Sequence, residues 1–360
     1  MKLNKKGFGV AEIAIVILLI GILAAAVIVG FMGIKKNATE HVKEEATKSL
    51  EIIHQTKHAY PTILSKDLTT GLKVGDGEYE VYELGGYSIK GTGHGGVDAL
   101  TNKGTLFITG NGTIDTTSVI DGGSGWSVQN YGDLTLSDLI VKGGKGKKIY
   151  PFTCYGGSVT TLNNIICEGD RSVFNINKNA KVFISGVNTH IYINPNTGGT
   201  GRYLFYLSGE VTIYDGTFNM KKDKNTYAWI NGGKMTIENA TFKQDTPTNY
   251  HGFLFTYTSG GQLIIKGGSF DCRSSTSFIT FDGASGSVTI SGGEFKNAPT
   301  KFATGVDASK KYEYISITGG TFYFDPKIGN ANGWGEYVPK DTHKIVDNGN
   351  GTYTVKGINE

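Results

Sequence analysis

From residue 104 onward, apolar and polar positions alternate over short runs, and each run ends at a glycine, asparagine or aspartate turn. Val211-Thr-Ile-Tyr-Asp-Gly-Thr-Phe218, Met235-Thr-Ile-Glu-Asn-Ala-Thr-Phe242, Leu263-Ile-Ile-Lys-Gly-Gly-Ser-Phe270, Val288-Thr-Ile-Ser-Gly-Gly-Glu-Phe295 and Ile315-Ser-Ile-Thr-Gly-Gly-Thr-Phe322 share one pattern. It reads apolar-x-Ile-x, two turn-type residues, then x-Phe, with the phenylalanines 24 to 28 residues apart. Weaker copies begin at Leu106, Leu134, Val159 and Val182, so the series predicts about nine coils. Alternation with period two means short strands with one face buried. A repeat near 26 residues is too short for the usual helical repeats or a four-stranded propeller blade, and the leucine-rich consensus is absent. A parallel β-helix over residues 105–340 remains. In it Phe218, Phe242, Phe270, Phe295 and Phe322 stack as one interior column, Ile213, Ile237, Ile265, Ile290 and Ile317 as another, and the glycine pairs turn the corners.

The flanks follow other rules. Residues 61–104 carry short alternating runs such as Tyr79-Glu-Val-Tyr-Glu-Leu84, read as a transition and a β cap. Residues 341–360 place two strands around Asn348-Gly-Asn-Gly351, a hairpin suited to covering a last open edge. At the other end, Phe8 to Ile34 is apolar with one ionisable side chain, Glu12, and is long enough to cross a bilayer. Beyond it Val42, Ala46, Leu50 and Ile53 recur at helical spacing, and Pro61 ends the pattern. One helix over 8–60 would be about 80 Å long, spanning a membrane over 8–34. The expected fold class is therefore mainly β, with a long N-terminal α-helix as membrane or filament stalk and a parallel β-helix of about nine coils behind it.

Glu12 is costly inside a bilayer and needs a partner. Lys5-Lys6-Gly7 followed by Phe8, a glutamate four positions later and the run Ile13 to Ala25 resemble the N-terminus of type IV pilins and pseudopilins. Gly9-Val10-Ala11 departs from the commonest form of that pattern. The resemblance implies a leader over residues 1–7, cleavage between Gly7 and Phe8 by a prepilin peptidase, and methylation of Phe8. It also implies that Glu12 meets the N-terminal ammonium of a neighbouring subunit. By the same resemblance the partners are the peptidase, other pilin subunits and, before assembly, the cytoplasmic membrane, with the head outside and later on a filament or cell surface. The segment Tyr337 to Lys356 resembles the closing segment of repeat-rich surface proteins from Gram-positive gut bacteria.

Composition changes little in this picture. The 360 residues include 53 glycines and 7 prolines, which suits many turns and short strands. The net charge is +3, and loss of the three leader lysines leaves 32 basic against 32 acidic side chains. No global field then favours nucleic acid. Cys154, Cys167 and Cys272 make an odd count without a CxxC pair, and are read as buried thiols, although a Cys154–Cys167 bridge is conceivable.

Candidate chemistry is sparse. Polysaccharide lyases and hydrolases of this fold need clustered or paired acids, whereas the repeats carry aspartates singly and Asp271 with Arg273 is the nearest functional pair. No catalytic residue, cofactor or metal site is expected. His54 and His58 lack a third ligand, and the loop 91–96 lacks the lysine and the helix of a phosphate loop. Lys142 to Lys148 is a lysine-rich corner that could meet acidic glycans or DNA, or simply be solvated. Among the strands preceding the repeat cores, Tyr206, Tyr227 and Trp229 are the candidates for outward aromatics that could stack on sugars or anchor a protein; the same rings can instead pack under corner loops. The expected function is a pilin-like surface subunit, minor or at the tip, displaying the β-helix for adhesion or recognition of a glycan or host surface. The alternatives are a pseudopilin of a secretion or DNA-uptake system and a membrane-tethered β-helix lyase or hydrolase.

Overall fold

A computed structural model describes residues 61–91, 98–117, 127–143, 150–170, 172–193, 203–220, 226–244, 254–256, 260–273, 277–281, 286–306, 311–327 and 333–360. These residues form a parallel β-solenoid with three faces. Face 1 is a ten-stranded parallel sheet running from Leu72–Val74 to Ala303–Thr304, one strand from each pass of the chain. Faces 2 and 3 belong to one 21-stranded sheet that bends at a corner. Face 2 starts at Thr62–Ile63, followed one coil on by Tyr79–Glu83, and face 3 at Ser88–Lys90; each strand pairs in parallel with its equivalent one coil further on. In the last coils the two faces fuse into continuous strands, Gly286–Lys296 and Ile315–Phe322.

The alternating pattern explains this winding. Every second side chain points inward, and in-register pairing sets equivalent side chains about 4.8 Å apart along the axis, so like stacks on like. On face 3 the predicted phenylalanine column is present: neighbouring rings from Phe218 through Phe242, Phe270 and Phe295 to Phe322 lie 4.6 to 5.3 Å apart and within 15° of parallel. Trp334 closes the column, stacked on Phe322 at 3.9 Å with its indole N–H donating to the Phe324 carbonyl. Toward the other end Ile89, Ile114, Val141, Cys167 and Ile191 fill the same position. The isoleucine column Ile213, Ile237, Ile265, Ile290 and Ile317 runs beside it on face 2. A second aromatic column, unread in the sequence, joins Phe152, Phe174 and Phe205 on face 1 and hands over to Phe218. Each fully buried phenylalanine is worth ~1.5–3 kcal/mol of transfer free energy.

Face 1 also buries polar residues. Asn102 and Asn130 are fully enclosed at equivalent positions, and Asn102 Nδ2 donates to Asn130 Oδ1 at 2.9 Å and to the Asp133 carbonyl at 3.0 Å. Asn130 continues the ladder to Thr160 Oγ1 at 2.8 Å. At the C-terminal end His343–Asp347 and Tyr353–Gly357 form an antiparallel hairpin, and Tyr353 lies against Phe322 of the last coil.

One expectation about the fold changes. The expected fold class, a long N-terminal helix followed by about nine coils from residue 105, is corrected to a β-solenoid that is already wound from residue 62. Thr62–Ile63 pairs with Tyr79–Glu83, and Tyr79–Glu83 pairs in parallel with Thr105–Thr109. The first coil escaped the repeat pattern because its inward positions on face 2 are Glu80 and Tyr82, aligned with Leu106 and Ile108. Among the described residues the one α-helix is the four-residue turn Lys311–Tyr314, and no helix is long and apolar enough to cross a membrane. The helix predicted over 8–60 lies outside the described residues. The reading of the three cysteines as buried thiols holds: Cys154, Cys167 and Cys272 are all free and buried, and Cys154 and Cys167 form no bridge.

Candidate functional site

The predicted aromatics divide by register. Tyr206 and Trp229 are paired positions of adjacent face 1 strands and both project outward, half-buried. Tyr227 does not join them. It is fully buried, edge-on to Phe242 at 5.3 Å, and its hydroxyl donates to the Lys243 carbonyl. Strict alternation fails here because the chain turns onto face 1: Leu204 with Phe205, and Tyr227 with Ala228, are consecutive buried pairs. The outward role therefore falls to Tyr203 instead. Its ring meets Trp229 edge-on at 4.5 Å, and Tyr206 meets the same indole at 5.7 Å. Asn231 Nδ2 donates to the Tyr206 hydroxyl at 3.4 Å. The next register position on this row is Phe255. Tyr203, Tyr206 and Trp229 form a small amphipathic patch on a stiff sheet, chemically suited to a sugar ring or an apolar side chain. The signal for Tyr203 was its i, i+3 spacing from Tyr206 in a segment that begins at a corner.

A second feature lies at the corner between faces 2 and 3, in the last four coils. Here the glycine pairs leave an open polar groove of about 440 Å³. Its outward side chains are Thr241, Ser269, Glu294 and Thr321, one per coil, with Thr354 of the terminal hairpin at the end. The floor is Gly268, Gly292, Gly293 and Gly320. Glu294 is held in place: one carboxylate oxygen is 2.7 Å from Lys296 Nζ, and the other accepts from the Tyr323 hydroxyl at 3.3 Å. The hydrogen bond from Lys296 holds the Glu294 carboxyl below its ordinary pKa, against the opposing effect of partial burial. Lys296 also lies 5.4 Å over the Tyr323 ring, which is 42% exposed beside the groove. The sequence carried a sign of this site, a hydroxyl or carboxylate residue directly after three of the glycine pairs, at Ser269, Glu294 and Thr321.

The remaining candidates settle into structural roles or lie elsewhere. Arg273 Nε donates to both carboxylate oxygens of Asp271 at 2.9 Å, and its Nη2 caps the Gln244 carbonyl at 2.6 Å. Gln244 in turn donates to the Asp271 and Arg273 carbonyls. That closed set ties two corners together. Burial pushes the thiols up, Cys154 to about 12 and Cys167 and Cys272 well above the ordinary value, which keeps them protonated and unreactive. Among the described residues no three His, Cys, Asp or Glu side chains gather as a metal site. Gly7, Phe8, Glu12, His54 and His58 lie outside the described residues, as do most of the 91–96 loop and of the Lys142 to Lys148 corner. Comparison of the chain with known protein families, with curated proteins and with solved structures finds no match in any of the three.

Proposed function

We propose that the chain is a type IV pilin-like surface subunit, minor or at the tip of a filament, whose β-solenoid is displayed for adhesion or recognition. Two things support the reading. The residues Lys5-Lys6-Gly7-Phe8 and Glu12 stand in the order of a prepilin leader and its assembly glutamate. The head carries the outward patch of Tyr203, Tyr206 and Trp229 on a sheet whose column of stacked rings resists deformation. The patch is the observation that carries recognition. Large rigid aromatics are the side chains from which binding energy is usually drawn, and here they are preorganised by one another.

Mass spectrometry of the mature protein from its native membrane tests the first half: the N-terminus is expected at Phe8, methylated. Retention of Met1 refutes the leader, and with it the pilin reading. Trp229→Ala tests the second half. The residue is half-buried on the surface of the solenoid, so the fold is expected to persist while binding of displaying cells to their target surface falls at least tenfold. Unchanged adhesion by that variant refutes the patch.

A further inference from the structure

The groove at the corner of faces 2 and 3 is a ligand site of a different kind from the aromatic patch. We infer that it binds a linear, neutral polysaccharide laid along the solenoid axis, one sugar to each coil.

The argument begins with spacing. Ser269, Glu294 and Thr321 are in-register positions of successive coils, so their side chains repeat at about 4.8 Å. An extended β-1,4-linked pyranose chain repeats at nearly that distance. An extended peptide does not, since equivalent side chains recur every two residues, at about 6.6–6.8 Å, and falls out of step within two coils. The chemistry agrees with the spacing. Hydroxyls and a carboxylate can both accept from and, for the hydroxyls, donate to sugar hydroxyls. Glu294 is already fixed by Lys296 and Tyr323 and loses little freedom when it accepts from a ligand. The glycine floor has no side chains to hold a ligand off the backbone. Tyr323, exposed at the rim, adds an aromatic surface for the apolar face of a ring. The terminal hairpin places Thr354 beside Thr321 and closes one end, so the ligand enters from the side of Thr241. With Glu294 charged and Lys296 beside it, the site has no excess of positive charge to select an acidic polymer.

Titration calorimetry of the purified full-length chain with the β-1,4-linked sugars cellohexaose, xylohexaose, chitohexaose and mannohexaose tests the inference. Saturable binding of at least one of the four is expected, weakened at least tenfold by Ser269→Tyr, which fills the middle of the groove, and kept by Ser269→Thr. Thr321→Tyr blocks the closed end and serves if Ser269→Tyr melts early. Trp229→Ala is expected to leave hexaose affinity unchanged, which separates this site from the aromatic patch. Failure of all four sugars to bind overturns the inference, as does binding that survives both tyrosine variants or is lost on Trp229→Ala. Failure of the sugars to bind leaves the leader and adhesion through face 1 untouched, because the measurement needs neither, whereas loss on Trp229→Ala would move sugar binding to the face 1 patch.

Discussion

The corner pair Gly292-Gly293 gives the sharpest test of the fold, because its two glycines are there for different reasons. Gly292 has no left-handed backbone. A Cβ built on it would stand 2.2 Å from the Lys266 carbonyl oxygen of the preceding coil and 3.1 Å from that carbonyl carbon. Its neighbour Gly293 has φ +104°, a region that L side chains avoid. Gly349, in the terminal hairpin, also has positive φ, +75°, but a Cβ there meets nothing within 4 Å. Gly349→Ala thus isolates the backbone penalty, ~1–2 kcal/mol for the left-handed region, reduced by ~0.4–1 kcal/mol because alanine restricts the unfolded chain. The net cost is small. Gly292→Ala isolates the clash. To reach ordinary contact the two coils must part locally by about 1 Å, and the adjoining ladder bond from Glu294 N–H to the Gly268 carbonyl starts at 2.8 Å. Stretched by that much it leaves the hydrogen-bond range. Losing one or two such bonds at ~0.5–1.5 kcal/mol each, on top of ~1–3 kcal/mol of overpacking strain, gives about 1.5–6 kcal/mol. Urea denaturation of the full-length chain followed by far-UV circular dichroism measures both. Gly292→Ala is expected to lower the midpoint several times more than Gly349→Ala. Equal shifts, or a larger one at Gly349, would show that close approach of the coils is not what places glycine at position 292.

Three further outcomes follow from the core and its titrating groups. Phe270→Ala removes a fully buried ring stacked on both sides, at 5.3 and 5.1 Å, and is expected to cost ~3–5 kcal/mol by thermal or urea unfolding, with Phe270→Leu costing much less. Asp215 is largely buried, which raises its carboxyl pKa against a partial compensation from the Gly186 backbone N–H. Its folded pKa is above the unfolded one, so the charged group costs stability at neutral pH and that cost fades as the pH falls through the folded and then the unfolded value. Asp215→Asn is therefore expected to raise the melting temperature at pH 7 and to lose that advantage toward pH 4; a gain that is constant over the range refutes the assignment. The three buried thiols are expected to resist a thiol reagent in the native protein at pH 8 and to react, all three, in 6 M guanidinium.

Much of the solenoid was legible because its code is local. Alternation gives inward and outward sides, and the recurrence of Phe and Ile at one position per repeat predicts two columns that the structure contains. What escaped did so for physical reasons. The column Phe152, Phe174 and Phe205 sits on face 1, whose strands follow corner loops of unequal length, so its members are 22 and 31 residues apart and show no fixed period. Asn102 and Asn130 carry no signal of their own in the alternating pattern, and only the enclosed position reveals that each bonds to the next coil. Tyr227 was assigned outward by counting alternation through a corner, where two consecutive side chains turn in. The groove showed in the sequence only as a polar residue after three of the glycine pairs, because it is made by absence: glycines define its floor, and their common depth depends on coils that are distant in sequence.

The outward positions of face 3 carry a further consequence of stacking. In-register coils set each charge about 4.8 Å from its equivalents above and below, so a repeat with one conserved sign would repel itself along its whole length. This chain alternates instead. Asp67 bonds Lys90 at 2.6 Å, and the row continues through Asp115, Lys142 and Glu168, each in register with the next, before Tyr192 donates to Glu168. Asp271 and Lys296 repeat the opposition further along. In water two unit charges at this distance interact by about 1 kcal/mol, and exposed pairs deliver about half of that or less once side-chain freedom and salt are counted. Lys142→Glu would turn two attractions, with Asp115 and Glu168, into two repulsions and is expected to cost about 2 kcal/mol at low salt, against about 1 kcal/mol for Lys142→Gln. Because the difference between the two variants is purely electrostatic, it should shrink by more than half between 20 mM and 500 mM sodium chloride. Urea midpoints at the two salt concentrations measure it. A Lys142→Glu penalty that matches Lys142→Gln, or that persists unchanged in high salt, would mean that the alternation along face 3 does not help to hold successive coils in register.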